Sequence, residues 1–429
     1  MTAHSDILLD FNNMMDEGVG ETGIGRGEIE AVRPQLLQIH KGLTDLRKLG
    51  QIPFFELPTH EEKVVEQCRQ KGREVRERFK EILLIGIGGS SLGPRFLVNA
   101  LGDSKAPRFW FCDSVDPVLW RRIESNLDFR ETAVIAISKS GETAETAAAL
   151  LSFRARLKKE VGAKEKEHLF MVTDPKKGAF RNLAREERLE SFDIPPGIGG
   201  RYSVLTPAGL FPAACAGIDI GDLLSGAARM DDRCQNPDPW FNPAMMSAVL
   251  HYLFDLRRKR KIRVVMPYGE SLRDYGPWFA QLWAESLGKR LSLKGEEIFA
   301  GTTPIAGIGP QDQHSQLQLY LEGPQDKTVT FIGLEKRNEK RKDLLGTERT
   351  ATEEALRESG RPNQTILLKE LSPYAIGQLL MLAGIETIYS GELYNVNPFD
   401  QPAVEKIKRN MKDYLSGKIM PRKSRAYKI

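Results

Sequence analysis

Several features that mark common classes of protein are scarce or missing in this chain of 429 residues. Its four cysteines form no Cys-x-x-Cys pair and have no close histidine partner, so neither a zinc site nor a disulfide framework is predicted. No apolar run reaches the roughly 18 residues of a membrane-spanning helix. The net charge of +4 gives no reason to expect nucleic-acid binding. With no secretion-signal pattern at the N-terminus, we expect a cytoplasmic protein without membrane or nucleic-acid partners.

Short apolar segments alternate with helical patterns along most of the chain. Strands are predicted at 82–85, 108–112, 133–137, 169–172, 263–266, 328–333 and 364–368, and helices include about 275–290, 312–321 and 372–384. Such alternation is typical of parallel sheets covered by helices on both faces. The predicted fold class is therefore α/β, with two α/β sandwich domains that have parallel sheets. The predicted division is an N-terminal helical segment (1–60), two domains (61–225 and 226–395) and a C-terminal helix and tail (396–429).

The most informative segment spans residues 133–143, where a β-branched apolar run ends in hydroxyls, a lysine and a glycine. Its polar side chains belong to Ser138, Lys139, Ser140 and Thr143, directly before a helical pattern. Free N–H groups and the positive end of a helix dipole favour an anion at this position. The Gly-Lys-Ser/Thr order of a nucleoside triphosphate loop is absent. The residues predict a phosphate site, and a polar turn with a Ser or Thr cap stays open as the alternative.

A second loop between a strand and a helix, residues 86–93, is rich in glycine. It lacks the third glycine of a dinucleotide fingerprint, because position 91 is Ser. Asp113, at the end of the next strand, is in the place of the acid that binds a ribose, so a dinucleotide site stays open. The alternative is a loop whose backbone closes on a sugar phosphate, to which Ser90 adds a hydroxyl.

Three further segments carry side chains suited to acid–base chemistry. Gln281 and Glu285 are four residues apart and share one helix face. Apolar neighbours of Glu285 predict partial burial, which raises the pKa of a carboxyl toward that of a general base. His314, one of six histidines, lies in a Gly- and Pro-rich loop. Arg201 follows two glycines and either holds a loop to a carboxylate or faces an anionic intermediate. No cluster of ligand-type residues predicts a metal site.

In order and spacing, these segments resemble the glucose-6-phosphate isomerase family. The resemblance rests on six motifs between residues 86 and 408. They are Gly-Ile-Gly-Gly-Ser-x-Leu-Gly-Pro at 86–94, Ser-Lys-Ser-Gly-x-Thr at 138–143, Gly-Gly-Arg-Tyr-Ser at 199–203, Gln-x-x-x-Glu-Ser-x-Gly-Lys at 281–289, Gln-His-Ser at 313–315, and Asn-Pro-Phe-Asp-Gln at 397–401 with Lys408. One departure is Ala403, where the family usually has glycine.

The resemblance implies interconversion of D-glucose 6-phosphate and D-fructose 6-phosphate through a cis-enediolate, in glycolysis and gluconeogenesis, without a cofactor or metal. The implied roles are a proton carrier (Glu285), an enediolate partner (Arg201), ring-opening groups (His314 and Lys408), hydroxyl ligands (Gln281 and Gln401) and phosphate ligands (Gly89, Ser90, Ser138, Lys139, Ser140 and Thr143). It also implies a pair of sugar-isomerase domains and a homodimer in which His314 crosses the interface.

Two alternatives to this function remain. A sugar-phosphate-binding module without catalysis would keep residues 138–143, but it would have no use for Glu285, His314 and Lys408 together. An isomerase that acts on both glucose and mannose phosphates would share every motif, so the sequence does not separate it from the family's main activity.

Overall fold

Strands and helices alternate along most of the chain, as the spacing of apolar segments predicts. The computed structural model describes residues 6–59, 62–335 and 343–416, without the side chains at 405, 408, 412 and 415. The strands are β1 (Leu8–Asp10), β2 (Glu81–Ile85), β3 (Arg108–Cys112), β4 (Thr132–Ile137), β5 (Leu169–Thr173), β6 (Glu190–Asp193), β7 (Ile262–Pro267), β8 (Lys289–Leu291), β9 (Glu297–Ala300), β10 (Thr303–Ala306), β11 (Lys327–Leu334) and β12 (Asn363–Leu368). The helices are α1 (Asp16–Val19), α2 (Arg26–Lys48), α3 (Glu62–Arg78), α4 (Gly89–Leu101), α5 (Pro117–Glu124), α6 (Ala144–Val161), α7 (Ala179–Glu187), α8 (Pro207–Cys215), α9 (Ile220–Cys234), α10 (Pro243–Arg258), α11 (Tyr275–Leu287), α12 (Leu317–Glu322), α13 (Leu344–Glu358), α14 (Pro373–Leu393) and α15 (Pro402–Leu415).

The first sheet contains five parallel strands in the order β3-β2-β4-β5-β6. Ile82 and Leu84 face one apolar cluster and Leu83 and Ile85 face another, so the sheet is covered on both sides. This is why β2 and β4 are apolar at successive positions instead of alternating. The strand order reverses between β2 and β4. In doubly wound sheets, ligands bind at the carboxyl ends of the strands at such a point.

The second sheet has the order β1-β12-β11-β7-β10. Strands β10, β7, β11 and β12 are parallel, whereas β1 runs antiparallel to β12. The prediction of two α/β units with parallel sheets is confirmed. The N-terminal segment, however, is not purely helical, because β1 completes the second sheet. Three residues are too few for an alternating pattern to indicate a strand.

One other sequence-based expectation differs from the structure. Residues 311–313 form a 3-10 turn and helix α12 begins only at Leu317, so the helix predicted at 312–321 is wrong in its first half. The Asp312 carboxylate accepts a hydrogen bond from the Ile308 N–H and turns the chain there. The predicted domain boundary after residue 225 lies within α9, and the division into domains stays a prediction.

Helix α14 forms the centre of the core. Eighteen of its residues are buried, including polar ones such as Gln378 and Glu386, as expected of a helix enclosed on all sides. It packs closely against α9, because a Cβ on Gly377 would lie 1.9 Å from the Leu223 carbonyl oxygen and one on Gly226 would lie 1.9 Å from that of Tyr374. Among the described residues, none of the helices is both long and apolar enough to cross a bilayer.

The close approach of α9 and α14 predicts that Gly377→Ala is destabilising. The added methyl group collides with the Leu223 backbone, so the free energy of unfolding in urea should fall by about 2–3 kcal/mol. Gly42→Ala in α2 is the matched control, because a Cβ there meets nothing within 4 Å. It should gain about 0.5–1 kcal/mol from helix propensity. Equal stability of the two variants would contradict close packing of these helices.

Candidate active site

The candidate site lies where the carboxyl ends of β2 and β4 meet the end of α11. Gly88 has φ +58, and a Cβ there would lie 2.8 Å from the Gln281 side-chain nitrogen. A Cβ on Gly89 would lie 2.0 Å from the Gly200 carbonyl oxygen and 2.7 Å from the Arg201 nitrogen. These positions therefore need glycine, because the backbone after β2 touches both α11 and the segment that carries Arg201. Ser90 lies one residue further on, partly exposed, in the first turn of α4.

The hydroxyl-rich loop connects β4 to α6. The Ser138 hydroxyl accepts a hydrogen bond from the Gly141 N–H at 3.0 Å and lies 3.5 Å from the Thr143 hydroxyl. The Ser140 hydroxyl accepts from the Glu142 N–H. Thr143 precedes α6, but its side chain makes no capping hydrogen bond, so its hydroxyl is not used to cap this helix. The loop thus presents hydroxyls at a helix N-terminus, an arrangement that suits a phosphate.

Lys139 belongs to the same loop and is directed to the Arg201 segment. Its ammonium group donates to the Ile198 carbonyl at 2.9 Å. Burial lowers the pKa of Lys139, and the nearby Asp174 carboxylate works in the opposite direction. The lysine therefore contacts the backbone three residues before Arg201.

Arg201 is the most constrained side chain of the site, with 1% of its side chain exposed. Its Nε donates to the Ser286 hydroxyl at 2.7 Å. Its Nη2 donates to the carbonyls of Pro398 (2.6 Å) and Asp400 (3.0 Å). Its Nη1 donates to the Gln401 side-chain oxygen at 2.7 Å and to a Glu285 oxygen at 3.3 Å. The first role considered for this arginine is therefore observed, because it holds the segment 398–401 to the Glu285 carboxylate, and its role beside an anionic intermediate stays a prediction.

Gln281 and Glu285 share one face of α11, as their spacing predicts. The Gln281 side-chain nitrogen donates to Glu285 Oε1 at 3.1 Å, while Arg201 binds Oε2. One third of the Glu285 side chain is exposed, so its carboxylate is held from two sides and still open to a ligand. The Gln281 side-chain oxygen is buried and has no hydrogen-bond partner among the described residues. A substrate hydroxyl can donate to that oxygen.

Three supporting residues were not assigned roles from the sequence, although all lie within its motifs. The Ser286 hydroxyl accepts a hydrogen bond from Arg201 Nε and lies 3.1 Å from the Tyr202 hydroxyl. Burial raises the pKa of Tyr202 to about 12, so this hydroxyl stays protonated. Lys289 donates to the carbonyls of Glu285 (2.6 Å) and Ser286 (2.8 Å) at the end of α11, where a cation is favourable. Burial lowers the pKa of Lys289, and the neighbouring Arg201 lowers it further.

His314 does not contact the other site residues within this chain. Its side chain is exposed and makes no hydrogen bond or ion pair among the described residues. Gly276, at the start of α11, packs against Ala306 at the beginning of the His314 loop. Glu285 is nine residues later, or about 13 Å along the helix. The loop that carries His314 is fixed to α13, because the Gln313 side chain donates a hydrogen bond to the Glu348 carbonyl at 3.1 Å.

The structure describes the contacts of Gln401 and the position of Ala403, but not the side chain of Lys408. Gln401 accepts from Arg201, as described above, and α15 follows directly. Ala403 is in the first turn of that helix and is exposed, so its methyl group is accommodated. Lys408 belongs to α15, but its side chain lies outside the described part of the structure. The expected role of Lys408 therefore stays a prediction.

The dinucleotide alternative is disfavoured by the partners of Asp113. Its carboxylate accepts from Arg95 at 2.5 Å and from the Ser91 hydroxyl at 3.3 Å. A carboxylate that binds a ribose must be available to two sugar hydroxyls, whereas Oδ2 of this one is already bound by two residues of α4.

Two doubly wound sheets, with a hydroxyl-rich loop and an arginine–glutamate pair where they meet, define a protein of the sugar-isomerase fold class. The family model described as phosphoglucose isomerase matches residues 60–358 and 355–424. The chain therefore belongs to the phosphoglucose isomerase family.

Individual relatives agree with this membership. The chain is similar to a glucose-6-phosphate isomerase from Carboxydothermus hydrogenoformans, with 38% identity over 433 residues, which cover 94% of this chain and 93% of the relative. A solved structure of a hypothetical protein from Thermus thermophilus has a TM-score of 0.85 and 36% identity, and covers 96% of this chain and 100% of that one. A glucose-6-phosphate isomerase from Chlamydia trachomatis shares the fold, with a TM-score of 0.82 at 23% identity over 93% of this chain and 88% of that one.

The contact between Ser286 and Arg201 predicts a stabilising role for this serine. Ser286→Ala leaves a buried guanidinium N–H without an acceptor, so the free energy of unfolding should fall by about 1.5–3 kcal/mol. The control is Ser225→Ala, whose exposed hydroxyl donates only to the Gly221 carbonyl within its own helix. That change should stay within about 0.5 kcal/mol. If urea unfolding finds both variants equally stable, Arg201 does not depend on Ser286.

Proposed function

We propose that this protein interconverts D-glucose 6-phosphate and D-fructose 6-phosphate through a cis-enediolate. The observation that carries the proposal is the pairing of a partly exposed Glu285 carboxylate with the buried Arg201 guanidinium. Family membership and the names of the relatives support the choice of substrates. An isomerase of this kind acts in glycolysis and gluconeogenesis, and the cytoplasm is the compartment we expect.

Moving a carbonyl from C1 to C2 requires a base that removes the C2 proton and returns it to C1. Glu285 takes this role, since its carboxylate is open to the ligand and oriented by Gln281 and Arg201. The enediolate that forms is anionic. When Glu285 holds the proton, its attraction for Arg201 weakens, and Nη1 becomes free to donate to the enediolate oxygen. The 3.3 Å contact with Glu285 is the longest of the arginine's hydrogen bonds. This length favours its replacement by a hydrogen bond to the enediolate oxygen.

The remaining residues bind the substrate. The phosphate lies against Ser138, Ser140 and Thr143 at the start of α6, with the backbone at Gly89 and the Ser90 hydroxyl beside it. Lys139 then exchanges its Ile198 carbonyl for a phosphate oxygen. Gln281 and Gln401 orient the sugar hydroxyls. His314 and Lys408 move protons of the ring oxygen when the cyclic sugar opens.

We infer a homodimer from the position of His314. The imidazole is exposed and its loop starts at the far end of α11 from Glu285. We therefore infer that each site is completed by His314 of a second copy of the chain.

Glu285→Gln tests the base directly. The amide keeps the shape of the side chain and removes its basicity, so kcat for glucose 6-phosphate should fall by about 10²–10⁴-fold while substrate still binds. Glu296→Gln, at an exposed glutamate nearby in the chain, should retain the kcat of the unmodified protein. A coupled assay run with both glucose 6-phosphate and mannose 6-phosphate also defines substrate range. Near-normal turnover of Glu285→Gln would exclude Glu285 as the base.

Subunit exchange tests the shared site. Glu285→Gln and His314→Ala should each be inactive as homodimers. After subunits exchange, each hybrid dimer contains one site with both defects and one site with neither, so part of the activity should return. Mass spectrometry of differently tagged subunits verifies the exchange. Verified hybrids without activity would mean that His314 acts within its own chain.

A further inference from the structure

We propose that Arg263 and Glu386, a buried ion pair outside the site, are positioning residues that set the rotation of α11 and thereby the place of Glu285. Arg263 is on β7 and Glu386 is in the middle of α14, with 2% and 3% of their side chains exposed. Arg263 Nη1 donates to Glu386 Oε1 at 2.7 Å, and Nη2 donates to Oε2 at 3.3 Å. This inference rests on the function proposed above.

The guanidinium of Arg263 lies on the aromatic side of α11. Its central carbon is 4.7 Å from the ring centroid of Phe279 and 4.4 Å from that of Trp283. These rings stack on each other with centroids 5.5 Å apart. A planar cation over two stacked rings gains attraction from both, and the attraction depends on where the rings lie relative to the cation.

The aromatic side of α11 is opposite its catalytic side. At about 100° per residue, the mean direction of Phe279 and Trp283 differs from that of Gln281 and Glu285 by about 200°. Arg263 therefore contacts the back of the helix that presents the carboxylate. A carboxylate about 6 Å from the helix axis moves by about 1 Å when the helix turns by about 10°. A displacement of that size can cost about 10²-fold in rate.

The pair is itself held by uncharged neighbours from other elements. The Ser247 hydroxyl on α10 donates to Glu386 Oε1 at 2.5 Å, and the Gln364 side-chain nitrogen on β12 donates to that hydroxyl at 2.9 Å. His251 Nδ1 is 3.8 Å from Glu386, and burial together with Arg263 lowers the pKa of His251 well below its usual range, so this imidazole is neutral. The position of Arg263 is thus set by β12, α10 and α14 together.

Stability alone does not explain a buried ion pair. Replacing such a pair with apolar side chains of similar size is often neutral or stabilising, whereas removing one partner is strongly destabilising. The double variant Arg263→Met with Glu386→Met therefore separates the two roles. It keeps volume and removes both charges, and Ser247 retains Gln364 as a partner. A positioning role predicts lost turnover in a protein that is still stable.

The experiment measures kcat, KM and melting temperature of the double variant with glucose 6-phosphate. We expect kcat to fall at least about tenfold, and KM to stay within threefold because the phosphate loop belongs to the other sheet. Arg260→Met is the matched control, since this buried arginine lies over Phe254 and contacts the Lys327 carbonyl, away from α11. Its kcat should stay within twofold. A double variant with unchanged kcat would overturn the proposal.

Two further measurements cover the other outcomes. If the double variant does not fold, Arg263→Lys decides, because lysine keeps a charge for Glu386 and lacks a planar group to stack. Lost kcat then supports the proposal, and unchanged kcat overturns it. If the unmodified protein has no isomerase activity, the proposed function fails separately. A crystal structure of the folded variant then decides, with Glu285 displaced from Arg201 by about 1 Å as the expected result and an unmoved carboxylate as the contrary one.

Discussion

The buried guanidinium of Arg201 is the constraint on which the rest of the site depends. A charge removed from water must be surrounded by acceptors, or its burial costs several kcal/mol. Five hydrogen bonds meet this requirement, to Ser286, Glu285, Gln401 and the carbonyls of Pro398 and Asp400. Those acceptors come from α11 and from the segment after α14. Neither element can therefore shift without leaving part of a buried cation unpaired.

The same arginine connects the two sheets. Its own backbone nitrogen is so close to Gly89 that a side chain there could not be accommodated, and Lys139 reaches the Ile198 carbonyl from the hydroxyl-rich loop. Both loops after β2 and β4 thus contact the segment that holds Arg201. We infer that binding of a phosphate at these loops is transmitted to the arginine and from there to Glu285. The phosphate site and the Arg201–Glu285 pair are then structurally coupled.

Much of this arrangement could be predicted from the sequence. Buried parallel strands such as β4 are continuous apolar runs, and a hydroxyl-rich turn after one of them indicates an anion site without any comparison. The spacing of Gln281 and Glu285 placed them correctly on one helix face. Short strands were missed, because three or four residues, as in β1 and β10, do not form a detectable pattern. The start of α12 was misplaced because an Asp312 side chain, and not a helix, organises that loop.

Other features leave no trace in a sequence. Arg201 binds two backbone carbonyls about 200 positions away, and carbonyls belong to every residue type. The cross-subunit role of His314 depends on a second chain and stays a prediction. The most direct test of the central claim uses glucose 6-phosphate deuterated at C2. If Glu285 carries the proton, fructose 6-phosphate formed in water should retain part of the deuterium at C1 and lose the rest to solvent. Complete retention would contradict the account, because a direct hydride shift needs no base.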